Sequence, residues 1–155
     1  MPTPLHLWRI SNHRSLTGEG GLRYAARWHS AGRRIVYLAE SPAGAMIEVL
    51  VHLELDDSLP SRYTLLCVEI PEKIRIHQIA APSGNAWKTN LKLSRRLGDE
   101  WLAQVKTALA RVPSAILPET YNYLLNPLHP DAGSIKIIEV KKAVFDPRLY
   151  ASIKH

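Results

Sequence analysis

Short stretches in which apolar and polar residues alternate recur along the chain, and a period of two is typical of half-buried β-strands. The alternation predicts six strands, over residues 5–10, 34–39, 62–70, 73–79, 114–117 and 134–140. Residues 121–125 fit either a strand or a helix. Four of the eight glycines lie between residues 11 and 32, which predicts a long loop there.

Two longer segments have the apolar spacing and the boundary residues of α-helices. Ser41 suits an N-cap and Pro42 the first helical position, and strong helix formers follow over residues 43–54. Asp99 is the predicted N-cap of a second helix, which continues with apolar residues at helical spacing until Pro113 ends it. The pattern is also compatible with a short helix over residues 91–96.

The order of these elements decides the predicted fold class. Strands cluster instead of alternating regularly with helices, which favours an α+β fold with a mixed or mostly antiparallel sheet and a few helices. Because the chain has 155 residues and no repeat or linker, we expect a single domain over residues 1–155. A doubly wound nucleotide-binding fold is disfavoured, since no G-x-G-x-x-G follows a strand and opens a helix.

Composition narrows the class of protein. Hydrophobic residues make up 46% and charged residues 22% of the chain, which is ordinary for a globular protein. No apolar stretch approaches the roughly 20 residues that span a bilayer, and the first residues lack a signal-peptide pattern, so a cytoplasmic location is expected. Cys67 is the single cysteine. Its apolar neighbours in a predicted strand suit a buried, inert thiol.

Charge is unevenly distributed around a formal net charge of +6. Residues 1–34 contain six arginines and one glutamate, whereas residues 40–72 contain seven acidic residues and one arginine. This pattern suits an anionic ligand or an acidic partner. A nucleic-acid-binding module is the alternative from a different class. However, no predicted helix carries a basic stripe, and only Trp28 supplies an aromatic ring beside Arg27.

Several common chemistries lack their motifs. The glycines at 18–21 are not followed by the Lys-Ser or Lys-Thr of a phosphate-binding loop. No cysteines or histidines have the spacing of zinc ligands, and no G-x-S-x-G is present. The sequence therefore predicts neither a metal site nor a serine nucleophile of that type.

The stretch from Gly20 to Glu48 resembles the RES domain, the toxin of RES–Xre toxin–antitoxin pairs. That family is named for an Arg, a Glu and a Ser, which correspond here to Arg27 in GLRYAARW, Glu48 in AMIE and Ser114 in VPS. The resemblance covers nearly the whole chain, with further matching segments at 98–102 (GDEWL), 122–127 (NYLLNP) and 145–149 (FDPRL).

Two residues of this chain depart from the family pattern. Ala26 occupies a position where family members often have Gly, and His29 occupies one where Asn is common. Both departures fall in the loop around Arg27, so they concern the geometry of that loop more than the chemistry.

The resemblance implies a core similar to that of ADP-ribosyltransferases and depletion of NAD as the toxic activity. NAD would be a substrate, with no bound cofactor. The acceptor stays open, because hydrolysis, phosphorolysis and transfer to a protein break the same bond. The implied partner is an Xre-type DNA-binding antitoxin, so contact with nucleic acid would belong to the complex. A pure interaction protein with vestigial catalytic residues is the third possibility.

The resemblance also implies roles for five residues. Cleavage of NAD passes through an oxocarbenium-like transition state, as in glycoside cleavage. Arg27 would bind phosphate oxygens with its guanidinium fork, and Arg9 would be a second phosphate contact. Tyr37 would stack against or cap the nicotinamide. Glu48 would bind a ribose hydroxyl and stabilise positive charge at C1′, and Ser114 would hold the substrate or orient Glu48.

Each assignment has a structural alternative when the residues are considered without the resemblance. Arg27 is then a solvated loop arginine, and Tyr37 is equally suited to the core. Glu48 would lie on an exposed helix face, because a buried unpaired carboxylate is costly. Ser114 would be a hydroxyl at the start of a strand.

Overall fold

One mixed sheet organises the molecule. The computed structural model describes residues 3–52 and 61–151, and in this part of the chain seven strands pair in the order β4-β5-β6-β2-β1-β3-β7. The strands are β1 (Leu5–Ile10), β2 (Val36–Ala39), β3 (Arg62–Ile70), β4 (Ile76–Gln78), β5 (Leu109–Pro113), β6 (Tyr121–Leu125) and β7 (Lys136–Val144). Neighbours are antiparallel except β4 and β5, which are parallel.

Helices cover the sheet and its connections. Within the described residues they are α1 (Gly20–Arg23), α2 (Pro42–His52), α3 (Leu91–Gln104) and α4 (Pro147–Ala151), with 3₁₀ turns at Ala86–Lys88 and Pro130–Ser134. The predicted α+β class with a mixed sheet is confirmed. None of these helices is both long enough and apolar enough to cross a membrane.

The predicted strands differ from the observed ones mainly after residue 70. The first and third predicted strands are confirmed as β1 and β3, and the ambiguous segment 121–125 is strand β6. Residues 73–79 contribute only the short β4, and the last strand starts two residues later than predicted and extends to Val144. The strand predicted at 114–117 is wrong, because the chain leaves the sheet after Pro113.

The second predicted helix was wrong at both ends. Asn90 caps α3, accepting a hydrogen bond from Lys92 N at 3.1 Å, so Asp99 lies inside the helix. Val105 has a left-handed backbone with φ of 51° and ends α3 after Gln104. The first predicted helix is confirmed as α2, and its predicted last residues, 53 and 54, lie outside the described residues.

Two hydrophobic cores lie on opposite faces of the sheet. Adjacent residues in a strand face opposite sides, and Leu125 belongs to one core while Leu124 belongs to the other. The Leu124 core also contains three tryptophans at or below 4% exposure, namely Trp28, Trp87 and Trp101. This core supports the loop around residue 27. Cys67 is buried, as predicted.

Candidate active site

A cleft of about 680 Å³ opens between α2, the loop of residues 25–28, α3 and the central strands β1, β2 and β6. Its volume is in the range of small-molecule sites. Four of the five predicted site residues line it, and among the described residues Glu48 is its only acidic lining residue. Three arginines are also among the described lining residues, namely Arg9, Arg27 and Arg95.

Glu48 lies half-buried on α2, where the helix crosses the sheet. Its Oε1 accepts a hydrogen bond from Asn122 Nδ2 at 2.9 Å. The other oxygen lies 4.0 Å from Nε2 of His52, an exposed residue one turn further along the helix. The amide of Asn122 thus fixes the carboxylate, and Oε2 has no short hydrogen bond to any described residue.

Arg27 is fixed by backbone carbonyls. Its Nη1 donates to the carbonyls of Trp87 at 3.0 Å and Lys88 at 2.9 Å, and its guanidinium lies 5.9 Å from the centre of the Trp87 ring. Burial lowers the pKa of Arg27, and the nearby charge of Glu48 acts against that shift. These bonds leave Nε and Nη2 to donate to a ligand, since a guanidinium has five N–H groups.

One face of α3 holds the backbone of the loop that carries Arg27. Ser94 Oγ donates to the carbonyl of Arg27 at 2.6 Å, and Arg95 Nε donates to the carbonyl of Ala26 at 2.7 Å. The helix therefore fixes the loop conformation on both sides of the Ala26–Arg27 peptide.

The next turn of α3 completes this attachment. A Cβ on Gly98 would overlap the carbonyl of Trp28, so only glycine permits the close approach. The carboxylate of Asp99 accepts hydrogen bonds from Ser30 N at 2.9 Å and Ser30 Oγ at 2.7 Å. The Gly98-Asp99 pair, which suggested a helix start in the sequence, thus serves a tertiary contact.

Tyr37 ties β2 to the same loop through its hydroxyl group. The oxygen accepts a hydrogen bond from Trp28 N at 3.1 Å and lies 2.7 Å from Nδ1 of His29. Burial raises the pKa of Tyr37 and lowers the pKa of His29. Both shifts favour a protonated phenol beside a neutral imidazole, so the hydroxyl can donate a hydrogen bond to Nδ1, while the ring lines the cleft.

Ser114 lies just after β5, and the structure gives its hydroxyl a local role. Its Oγ accepts hydrogen bonds from Ile116 N at 3.1 Å and Leu117 N at 3.2 Å. The hydrogen bond to Glu48 that was predicted for it comes from Asn122 instead. Ser114 therefore orders a loop that borders the cleft.

Arg9 borders the cleft along β1, but the strand register directs its side chain away from Glu48. Trp8 is opposite Ala39, and Ala39 is opposite Asn122, so these three residues share one face of the sheet. Arg9 alternates with Trp8 and lies on the other face, where burial lowers its pKa. The register does not bring Arg9 and Glu48 together.

The sequence did not predict two residues of the cleft, Asn122 and Arg95. Asn122 lies in a segment that matched the RES resemblance, but its link to Glu48 spans 74 positions. Arg95 lies in a helix whose exposed neighbours include other basic residues, so nothing local singled it out. No group of three His, Cys, Asp or Glu within the described ranges could hold a metal ion.

Comparison with known proteins gives the family. The RES domain model matches residues 6–147. The chain belongs to the RES domain family. This RES domain is 48% identical to Toxin Res of Pseudomonas putida KT2440 over 145 residues, which covers 93% of this chain and 99% of that protein. It is 37% identical to the Prs ADP-ribosylating toxin of Sphingobium sp. YBL2, covering 92% of this chain and 94% of that one.

The fold of this RES domain also occurs in a solved structure. A chain of the Mycobacterium tuberculosis MbcT–MbcA toxin–antitoxin complex superimposes with a TM-score of 0.68 at 15% identity, over 98% of this chain and 90% of that chain. At this identity the likeness establishes the fold. The family predicted from the sequence is confirmed, and by family this RES domain is the toxin component of a toxin–antitoxin system.

Proposed function

We propose that this RES domain cleaves NAD at the bond between the nicotinamide nitrogen and C1′ of the ribose. The observation that carries the proposal is a single carboxylate, Glu48, held by Asn122 in a cleft that it shares with the guanidinium of Arg27. NAD has a positively charged nicotinamide and a negatively charged diphosphate. A carboxylate beside a guanidinium complements both charges, because the carboxylate stabilises positive charge at C1′ and the guanidinium binds the diphosphate.

Each group would act on a different part of the substrate. The C1′–N bond breaks with its electron pair going to nicotinamide, and an acceptor oxygen bonds to C1′ and loses its proton. Glu48 would bind a ribose hydroxyl and stabilise positive charge at C1′. Arg27 would bind phosphate through Nε and Nη2, and the ring of Tyr37 would lie against the nicotinamide.

The test follows NAD and its products by chromatography with the purified chain. We expect Glu48→Gln to lower kcat by about two orders of magnitude or more with little change in KM, because the lost charge acts mainly in the transition state. Glu100→Gln is the matched control, since Glu100 is an exposed carboxylate on α3 that pairs with Arg96. NAD that survives with water, phosphate and cell extract all present would overturn the proposal.

Transfer of ADP-ribose to a protein is a second candidate, and the 37% identical relative named Prs ADP-ribosylating toxin favours it. The same bond breaks, but the acceptor is a protein side chain instead of water or phosphate. Incubation with NAD labelled in the adenosine part distinguishes the acceptors. Label retained on a protein indicates transfer, free ADP-ribose indicates hydrolysis, and its phosphate ester indicates phosphorolysis.

The proposed partner is an Xre-type DNA-binding antitoxin acting in the cytoplasm. The likeness to a chain of a toxin–antitoxin complex is consistent with this pairing. Expression of the RES domain alone should arrest growth and lower cellular NAD, whereas co-expression with its antitoxin should prevent both effects. Growth arrest that persists when an inactive Glu48→Gln chain replaces the wild type would argue against NAD loss as the cause.

A further inference from the structure

Arg95 is a second fixed cation of the cleft, in addition to holding the loop that carries Arg27. It is half-buried on α3 and lines the cleft. Its Nε donates to the carbonyl of Ala26 at 2.7 Å, which immobilises the guanidinium plane. Its two terminal nitrogens have no hydrogen-bond partner among the described residues, so they remain available to a ligand.

The charge of Arg95 is not neutralised within the described part of the protein. The carboxylate nearest to it in sequence is Asp99, which instead binds Ser30 and lies 3.5 Å from Nε of Arg33. Arg95 also adds to the lowering of the Arg27 pKa, as expected for two like charges facing one space. Two neighbouring guanidiniums without a carboxylate between them are typical of an anion site.

We propose that Arg27 and Arg95 together form a diphosphate-binding site. Both side chains line the same cleft. Backbone carbonyls fix each guanidinium, those of Trp87 and Lys88 for Arg27 and that of Ala26 for Arg95. Two fixed guanidinium forks in one cleft suit the two phosphates of a diphosphate.

A nicotinamide dinucleotide carries a diphosphate between its two riboses. The identity of the ligand therefore rests on the proposed function, whereas the existence of a diphosphate site does not. The site would make this chain selective for dinucleotides over compounds that have a single phosphate.

Calorimetric binding of ADP-ribose to the full chain tests the site without any turnover. We expect Arg95→Gln to weaken binding by roughly tenfold or more, the scale of a lost charge-assisted hydrogen bond. The glutamine amide still offers an N–H to the Ala26 carbonyl, which limits damage to the loop. Arg96→Gln is the matched control, because Arg96 is a highly exposed neighbour on the same helix, and it should bind ADP-ribose like the wild type.

Arg95→Lys is a second variant for the same binding measurement, for use if Arg95→Gln fails to fold. Lysine keeps the positive charge but lacks the guanidinium fork. We expect its affinity to fall between those of the wild type and Arg95→Gln. Affinity for ADP-ribose that is unchanged in the Arg95 variants, or absent in the wild type, overturns the inference. ADP-ribose binding that depends on Arg95, in a protein that does not cleave NAD, would support the diphosphate site and overturn the proposed function. The experiment therefore distinguishes failure of the site from failure of the proposed function.

Discussion

Three of the side chains proposed for the site are held by hydrogen bonds within the protein. Glu48 is held by Asn122, Arg27 by two backbone carbonyls, and Tyr37 by His29. Groups held in this way need no reorganisation when charge develops in a transition state. At the scale of single residues, the proposed site therefore depends on these partners as well as on Glu48, Arg27 and Tyr37.

His29 gives the site a dependence on pH. Burial lowers its pKa in the folded protein below the value of about 6.5 for a free histidine, which favours a neutral ring 2.7 Å from the Tyr37 hydroxyl. A depressed folded-state pKa stabilises the fold above the unfolded-state pKa, and this stabilisation is lost as the pH falls towards the folded-state value. We expect the free energy of unfolding in urea to fall between pH 7.5 and 5.5 by more in the wild type than in His29→Asn.

The substitution to asparagine removes the titration and keeps a side-chain oxygen that can accept a hydrogen bond. His77→Asn is the control for the other histidines, because His77 is exposed on β4. It should retain the pH dependence of the wild type. Equal pH dependence in all three proteins would contradict a role for His29 in this coupling.

At the scale of elements, α3 acts as the support of the Arg27 loop. Four of its residues, spaced so that they lie on one face of the helix, contact residues 26–30: Ser94, Arg95, Gly98 and Asp99. Spacings of three and four residues bring side chains of successive turns together. The contacts explain why a polar and glycine-containing face of α3 points to the protein interior.

Gly98→Ala should separate α3 from this loop. The new Cβ would overlap the Trp28 carbonyl, and backbone cannot move aside as a flexible side chain does. We expect a loss of about 1–3 kcal/mol in the free energy of unfolding, despite the gain of up to about 1 kcal/mol in helix propensity, and a fall in NAD turnover.

Gly44→Ala is the matched control for this prediction. The substitution is the same and also lies in a helix, but a Cβ at Gly44 meets only Ser41 Oγ at 3.4 Å and Ala39 Cβ at 3.5 Å. Its stability should stay equal to that of the wild type or rise, as measured by urea unfolding. Equal stability of both variants would show that the approach of Gly98 to Trp28 is not required.

At the scale of the whole molecule, the cleft is assembled from parts that are distant along the chain. Strands β1, β2 and β6, helices α2 and α3 and the 25–28 loop all contribute lining residues. A ligand that contacts several of these parts binds the folded chain and not the unfolded one. Its binding free energy is therefore added to the stability of the whole fold.

Glu48→Gln allows this linkage to be measured with NAD itself, because the variant should bind NAD without consuming it. At 100 times the dissociation constant, binding adds about 2.7 kcal/mol, which corresponds to a rise in Tm of roughly 5–10 °C for a domain of this size. Thermal unfolding followed by circular dichroism gives the shift. An unchanged Tm at millimolar NAD would mean that the cleft does not bind the dinucleotide.

Much of this protein follows from its sequence alone. The period-two pattern predicted β1 and β3, and Ser41-Pro42 predicted the start of α2, because strand alternation and helix capping depend on nearby residues. The spacing of these elements was enough for the α+β class. The family resemblance, carried by Arg27, Glu48 and their neighbours, supplied the expected chemistry.

The tertiary structure decided how those residues meet. Sequence reasoning offered Ser114 as one possible partner of Glu48 and made Asp99 a cap, because the actual partners, Asn122 and Ser30, lie far from Glu48 and Asp99 in the chain. Strand register, which no local pattern specifies when both faces of a sheet are buried, set the face on which Arg9 lies. Periodicity and capping are properties of neighbouring residues, whereas a site held by hydrogen bonds across 60 to 74 positions depends on how the packed elements align.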